Sequence, residues 1–127
     1  METVDRAFGW LLIVGGVLHA IGSWTGYRTT PETLLWALAG SLAALLVAAV
    51  NLLRAGRPGD LPLAWVSLGG SVAWMAVALG FGIVIGNLLD PRALIHMLNA
   101  LVLAGMSLRT VGRAKKGAQY PRGRGGT

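Results

Sequence analysis

Cysteine is absent from this 127-residue chain. Disulfides, thiolate nucleophiles and Cys-ligated zinc or iron–sulfur centres are therefore excluded. Charge is scarce as well. Asp, Glu, Lys and Arg together make up 13% of the residues, where soluble domains carry about a quarter, and the apolar set AVILMFWYC reaches 54%. A soluble domain this small has too little polar side chain to cover so much apolar surface, whereas lipid around the outer face removes the difficulty. The chain also has no Gly-rich phosphate loop, no His-Glu-x-x-His, no Gly-x-Ser-x-Gly and no pair of acids inside an apolar run. Each of those patterns carries a specific chemistry, and none of that chemistry is signalled here.

What the chain does have is four apolar stretches, at about 7–26, 32–53, 62–86 and 92–111. Each is long enough for the ~20 residues that cross ~30 Å of hydrocarbon. Backbone groups in lipid must be satisfied within their own segment, so the stretches are predicted to be helices. The first 25 residues do not combine a positive n-region with a small-residue cleavage site, so the first stretch is expected to remain as a permanent helix. Thr30-Pro31-Glu32 and Asp90-Pro91-Arg92 each place a capping residue before a proline at the first helical position. Residues 56–62 make a Gly/Pro-rich central loop. The expected organisation is a four-span domain over 1–112 followed by a basic, disordered tail over 113–127.

Lys and Arg fall unevenly. Arg6, Arg54, Arg57, Arg109, Arg113, Lys115, Lys116, Arg122 and Arg124 lie on one side of the predicted spans, nine residues against Arg28 and Arg92 on the other. Positive-inside bias puts the nine, and with them both termini, in the cytoplasm. Trp10 and Trp65 then lie near the inner interface, and Trp24, Tyr27 and Trp36 near the outer one, as amphipathic rings prefer. Trp74 is mid-span, and its indole N–H requires a partner, so it is expected to face protein. The expected fold is all-α: an integral membrane four-helix bundle, N-in and C-in, in a prokaryotic cytoplasmic membrane.

The halves echo each other faintly. Trp10 with Gly15-Gly16 parallels Trp65 with Gly69-Gly70, and the Pro31 cap parallels the Pro91 cap. A true duplication would be a parallel repeat about an axis along the membrane normal. Small residues at helical spacing predict the packed faces: Gly15, His19, Gly22 and Gly26 in the first span, with Gly9, Gly16 and Ser23 close by; Gly40, Ala43, Ala44 and Val47 beneath Glu32 and Trp36 in the second; Ser67, Ser71, Trp74 and Ala78 in the third, with Gly69, Gly70, Gly80, Gly82 and Gly86 around that face; Arg92, His96, Asn99, Leu103 and Met106 in the fourth.

Polar residues inside a membrane are costly and mark candidate function. Here they are His19, Ser23, Ser71, His96 and Asn99, with Glu32, Asn87, Asp90 and Arg92 at the outer rim. His19 and His96 stand in the outer half at similar depth, so adjacent first and last helices would bring their rings face to face. Three chemistries fit that picture. A haem b can use both rings as axial ligands, with Gly15 and Gly22 leaving room for the porphyrin. A metal can use both with Glu32 as a further ligand. A proton relay can use either with Glu32. Against them stands ordinary interhelical hydrogen bonding. The candidate ligand-binding set is His19, His96, Asn99, Glu32, Trp36 and Trp74.

At the other end Arg109, Arg113, Lys115 and Lys116 suit anionic lipid head groups, and the Arg/Gly tail is not read as a nucleic-acid site. The expected function is a non-enzymatic accessory, assembly, small transport or binding module. The alternatives are a haem b or other ligand-binding protein using His19 and His96, and a membrane enzyme acting on an apolar substrate. Four short helices enclose little interior, so a homo-oligomer or a place in a larger complex is expected.

Overall fold

The computed structural model describes the backbone of residues 2–119 and the side chains of residues 2–113. Four α-helices account for nearly all of it: α1 (Glu2–Tyr27), α2 (Pro31–Ala55), α3 (Leu61–Val84) and α4 (Pro91–Gln119), with no strand among the described residues. All four are long and apolar enough to span a membrane. Even α3, the shortest element at 24 residues, rises about 36 Å at ~1.5 Å per residue, beyond the hydrocarbon thickness. Two helices outrun the apolar stretches that announce them. α1 begins at Glu2, where Glu2 and Arg6 pair one turn apart at 3.0 Å. α4 runs through 113–119, so the tail does not begin at 113 as a separate segment. The remainder of the tail, including Arg122 and Arg124, lies outside the described residues, as do the side chains of Lys115 and Lys116.

The helix ends follow local chemistry. Asp60 caps α3, its Oδ1 accepting from the Leu63 N–H at 3.0 Å, and Asp90 Oδ1 accepts from the Arg92 N–H at 2.9 Å at the start of α4. Thr30, expected to cap α2, does not: its hydroxyl turns back to the Tyr27 carbonyl at 3.2 Å. α3 closes on Gly86, whose φ of 68° lies in the left-handed region that favours glycine. The Gly86 and Asn87 N–H groups then reach the carbonyls of Ile83 and Gly82, both at 3.0 Å.

Glycine decides where helices approach. A Cβ on Gly9 would stand 2.7 Å from Leu52, one on Gly16 3.0 Å from Leu45, and one on Gly15 3.1 Å from the His96 ring. Gly22 and Gly26 have open space instead. The packed face of α1 is therefore Gly9, Leu12, Gly16 and Ser23 rather than the expected stripe through Gly22 and Gly26. On α2 the buried face is Ser41, Ala44, Ala48, Asn51, Arg54 and Ala55, while Ala43 is exposed and Trp36 is 71% exposed. The α3 face holds as expected, with Ser67, Ser71, Trp74 and Ala78 all buried. On α4, Asn99 and Leu103 are buried and His96 half-buried, but Arg92 turns outward to pair with Asp90 at 2.9 Å and lie over the Phe81 ring. Leu12, Ala44, Ala48, Trp74, Ala100 and Leu103 form the apolar core, with contributions from every helix. The large apolar side chains left over point away from it, among them Leu18, Leu35, Val66, Ile83 and Leu98.

Two predictions follow from these contacts. Gly16→Leu is expected to cost roughly 1–3 kcal/mol through overpacking while Gly22→Ala is tolerated, read as thermal unfolding in detergent; equal sensitivity at both positions would contradict the rotation of α1. The Arg92 guanidinium beside Asp90, with backbone N–H groups of Arg92 and Ala93, holds the Asp90 carboxyl down at about 2. Because the folded value lies below the ordinary 3.8, the contribution of this carboxylate is present above that value and fades as pH falls through about 2. The stability gap between the native chain and Asp90→Asn should thus be full at neutral pH and close at the acid end.

Candidate functional site

Two polar clusters lie inside the helices, separated by the apolar core, and they differ in how well they are satisfied. The first is built on Arg54, near the C-terminal end of α2. Counted among interfacial basic residues in the sequence, it is only 1% exposed. Its Nε donates to Ser67 Oγ on α3 at 3.1 Å, Nη1 to Thr110 Oγ1 on α4 at 3.1 Å, and Nη2 to Asp5 Oδ1 on α1 and to Asn51 Oδ1 at 3.4 Å. Asp5 is itself largely shielded, its side chain 11% exposed.

Behind the guanidinium the bonds continue toward the middle of the helices. Ser67 Oγ donates to Asn51 Oδ1 at 2.8 Å, and Asn51 Nδ2 donates to Ser71 Oγ at 3.0 Å. Ser107 Oγ lies 2.9 Å from Ser67 Oγ. Either hydroxyl can donate in that contact, and Ser107 Oγ also has the Leu103 carbonyl as an acceptor at 2.8 Å. Every polar side-chain atom buried in this cluster has a partner.

Ser71, one of the polar residues singled out within the apolar runs, belongs to this cluster. Asn51, Arg54, Ser67, Ser107 and Asp5 went unrecognised as a group in the sequence. A signal did exist: Asn51 and Arg54 at spacing three, Ser67 and Ser71 at spacing four, and Ser107 and Thr110 at spacing three all fall toward the same end of their spans.

The second cluster gathers three of the expected candidates. His96 on α4 meets Trp74 on α3 edge-on, ring centroids 5.6 Å apart and planes at 84°. The ring also lies against Gly15 of α1, where a Cβ would stand 3.1 Å from it. Asn99 lies one turn further along α4 on the same buried face. Trp74 and Asn99 are 8% and 5% exposed. Yet Trp74 Nε1, His96 Nδ1 and Asn99 Oδ1 are buried with no hydrogen-bond partner from the protein. These are a donor, a group that can take either role, and an acceptor.

The remaining candidates stand apart. His19 leans on α2, its Nδ1 2.8 Å from Ser41 Oγ, and its ring is otherwise exposed. Ser41 Oγ also has the Ala37 carbonyl as an acceptor at 3.1 Å, and which of His19 Nδ1 and Ser41 donates follows the tautomer of the ring. Glu32 and Trp36 are exposed in the first turns of α2. His19 is thus hydrogen-bonded to α2, whereas His96 packs its ring on α3. Gly15, expected to make room for a porphyrin face, has the His96 ring against it. Among the described residues no three His, Asp or Glu side chains come together as metal ligands would.

The chain matches no protein-family model, no curated protein and no solved structure.

The Arg54 cluster generates its own test. Asp5→Asn leaves a buried guanidinium without its counter-charge and is expected to destabilise the fold by roughly 3–5 kcal/mol. The double variant Asp5→Asn/Arg54→Met should recover much of that loss, because no uncompensated charge remains; a double variant as unstable as the sum of both singles would show that the pair is not coupled.

Proposed function

We propose that this chain is a small polytopic membrane protein whose role is non-enzymatic binding, and that it holds a small, uncharged hydrogen-bonding molecule against Trp74, His96 and Asn99. The observation that carries this reading is the set of three buried, unpartnered polar atoms on neighbouring side chains. Each such atom costs about 1–3 kcal/mol if left unsatisfied, and native proteins leave few in that state. A hydroxyl-bearing ligand answers all three: it accepts from Trp74 Nε1, donates to Asn99 Oδ1, and accepts from His96 Nδ1 in the tautomer protonated there. An anion or cation suits the site poorly, because the adjacent groups are Leu103, Ala100 and the Trp74 ring and a charge there would be left uncompensated.

In this reading the four helices form a bundle with both ends of the chain in the cytoplasm. The Lys/Arg count supports that orientation even when buried Arg54 is removed, since nine less one leaves eight against two. The ligand site is then in the outer half and the Arg54 cluster in the inner half. A prokaryotic cytoplasmic membrane, and assembly with further copies or with a larger complex that receives the bound molecule, belong to the same reading. The small enclosed interior supports the latter.

Native mass spectrometry of the protein released from mild detergent tests the site. A bound species is expected on the native chain and lost in Trp74→Phe and in Asn99→Leu, with both variants less stable as extracted. If instead both variants are as stable as the native chain or more so, with no bound species on either, the three atoms are a packing defect and the binding function falls.

A further inference from the structure

The two hairpins are built to one pattern. α1 packs chiefly on α2 and α3 chiefly on α4, and the seams between the pairs are sparser. Laid side by side from Gly9 and Ala64 onward, α1 and α3 bury the same faces: Leu12 with Ser67, Gly16 with Ser71, Ser23 with Ala78. Every position of 8–24 matches the burial of its counterpart in 63–79 except one, exposed His19 against buried Trp74. The same register pairs like residues, Asp5 with Asp60 and the exposed Trp10 with the exposed Trp65. α2 and α4 agree in turn: buried Ala44, Ala48, Asn51 and Ala55 are matched by buried Ala100, Ala104, Ser107 and Val111.

Burial in phase relates two helices in sequence; contact between counterparts relates them in space. Under a two-fold rotation a residue meets its own counterpart only beside the axis. Ser107 Oγ lies 3.4 Å from Oδ1 of its counterpart Asn51, and Arg54 Nη1 donates to Oγ1 of its counterpart Thr110 at 3.1 Å. We infer that the chain is a fused dimer of equivalent hairpins, related by a two-fold axis that runs along the helices beside Asn51 and Ser107. The face each hairpin offers the other is one self-complementary surface, and the partner it fits is a second hairpin of the same design. Parallel repeats about such an axis are a known way of building membrane proteins. The symmetry is broken at two places. One is the cation: the first hairpin carries Arg54 with Asp5, where the second has Thr110 and Asp60. The other is Trp74, which places the proposed ligand site in the second hairpin alone. The two-fold relation itself does not depend on that site.

An exchange across the axis tests it in the full chain: Asn51→Ser, Arg54→Thr, Ser107→Asn and Thr110→Arg together. Between equivalent hairpins the cation moves to the second one and takes Asp60 as its counter-charge. Melting in mild detergent should then show Asp60→Asn costing the exchanged chain more than Asp5→Asn does, the reverse of the native order. An exchanged chain that folds but keeps the native order overturns the inference. Where the exchanged chain does not fold, distances between spin labels on the otherwise native chain decide. The chain has no cysteine, so labels go on Val17→Cys, Ala49→Cys, Val72→Cys and Gly105→Cys, all at exposed positions and taken two at a time. The 17–49 distance should coincide with 72–105, and across the seams 17–105 with 49–72. Unequal distances within either pair overturn the two-fold relation.

Discussion

One buried cation sets the geometry of this protein. Taking a guanidinium out of water is expensive enough that it persists only when its donors are matched in place, and Arg54 is matched by groups from all four helices: Asp5 from α1, its own Asn51 on α2, Ser67 from α3 and Thr110 from α4. Each of those bonds fixes the rotation and the axial height of the helix that supplies it. A helix free to slide by one turn, about 5.4 Å, would lose its hydrogen bond and leave a charge or a hydroxyl uncompensated. Apolar helices in lipid have little hydrophobic reason to prefer one register over another. Here a single side chain provides the reason, and alanines at Ala48, Ala55 and Ala64 let the backbones come near enough to use it.

The contrast between the two polar clusters separates support from site. Around Arg54 the hydroxyls also bond back to their own helices, Ser71 to the Ser67 carbonyl and Thr110 to that of Met106, so the arrangement is complete within the chain. Around His96 it is incomplete: Trp74 Nε1, His96 Nδ1 and Asn99 Oδ1 are buried without a partner from the protein. Leu12, Ala44, Ala48 and Leu103 lie between the two, keeping the charged end from solvating the uncharged one. Fully satisfied polar groups rigidify a core; a concentrated deficit beside them is where a second molecule has something to offer.

Much of the fold was legible in the residues. Hydropathy located four helices within a few positions of their observed cores, and the serine, tryptophan and alanine pattern of α3 identified its buried face. The face of α1 was not legible, because glycines occur all round it and small residues give a phase only when they are confined to one stripe. Gly9, Gly15 and Gly16 meet neighbours while Gly22 and Gly26 do not, a distinction that depends on which large side chains come opposite. Trp74, His96 and Asn99 were recognisable as a set because each is polar in an apolar run. That Glu32 and Trp36, grouped with them in the sequence, are exposed in the first turns of α2 was not to be had from sequence. Arg54 was hidden by its own chemistry: a basic residue at the end of a span reads as an interfacial charge, and only its spacing to Asn51 and the serines opposite distinguishes a buried one.

Asp5 and Arg54 are contributed by the first two helices, whereas Ser67, Ser107 and Thr110 come later in the chain. The counter-charge for the cation is thus already made when α2 emerges from the ribosome. The leading hairpin can partition into lipid with its two opposite charges cancelling, without waiting for the trailing one. The hydroxyls that arrive with α3 and α4 then act as a check on assembly: they complete a solvation shell that has already been neutralised, and only a correctly threaded second hairpin can supply it.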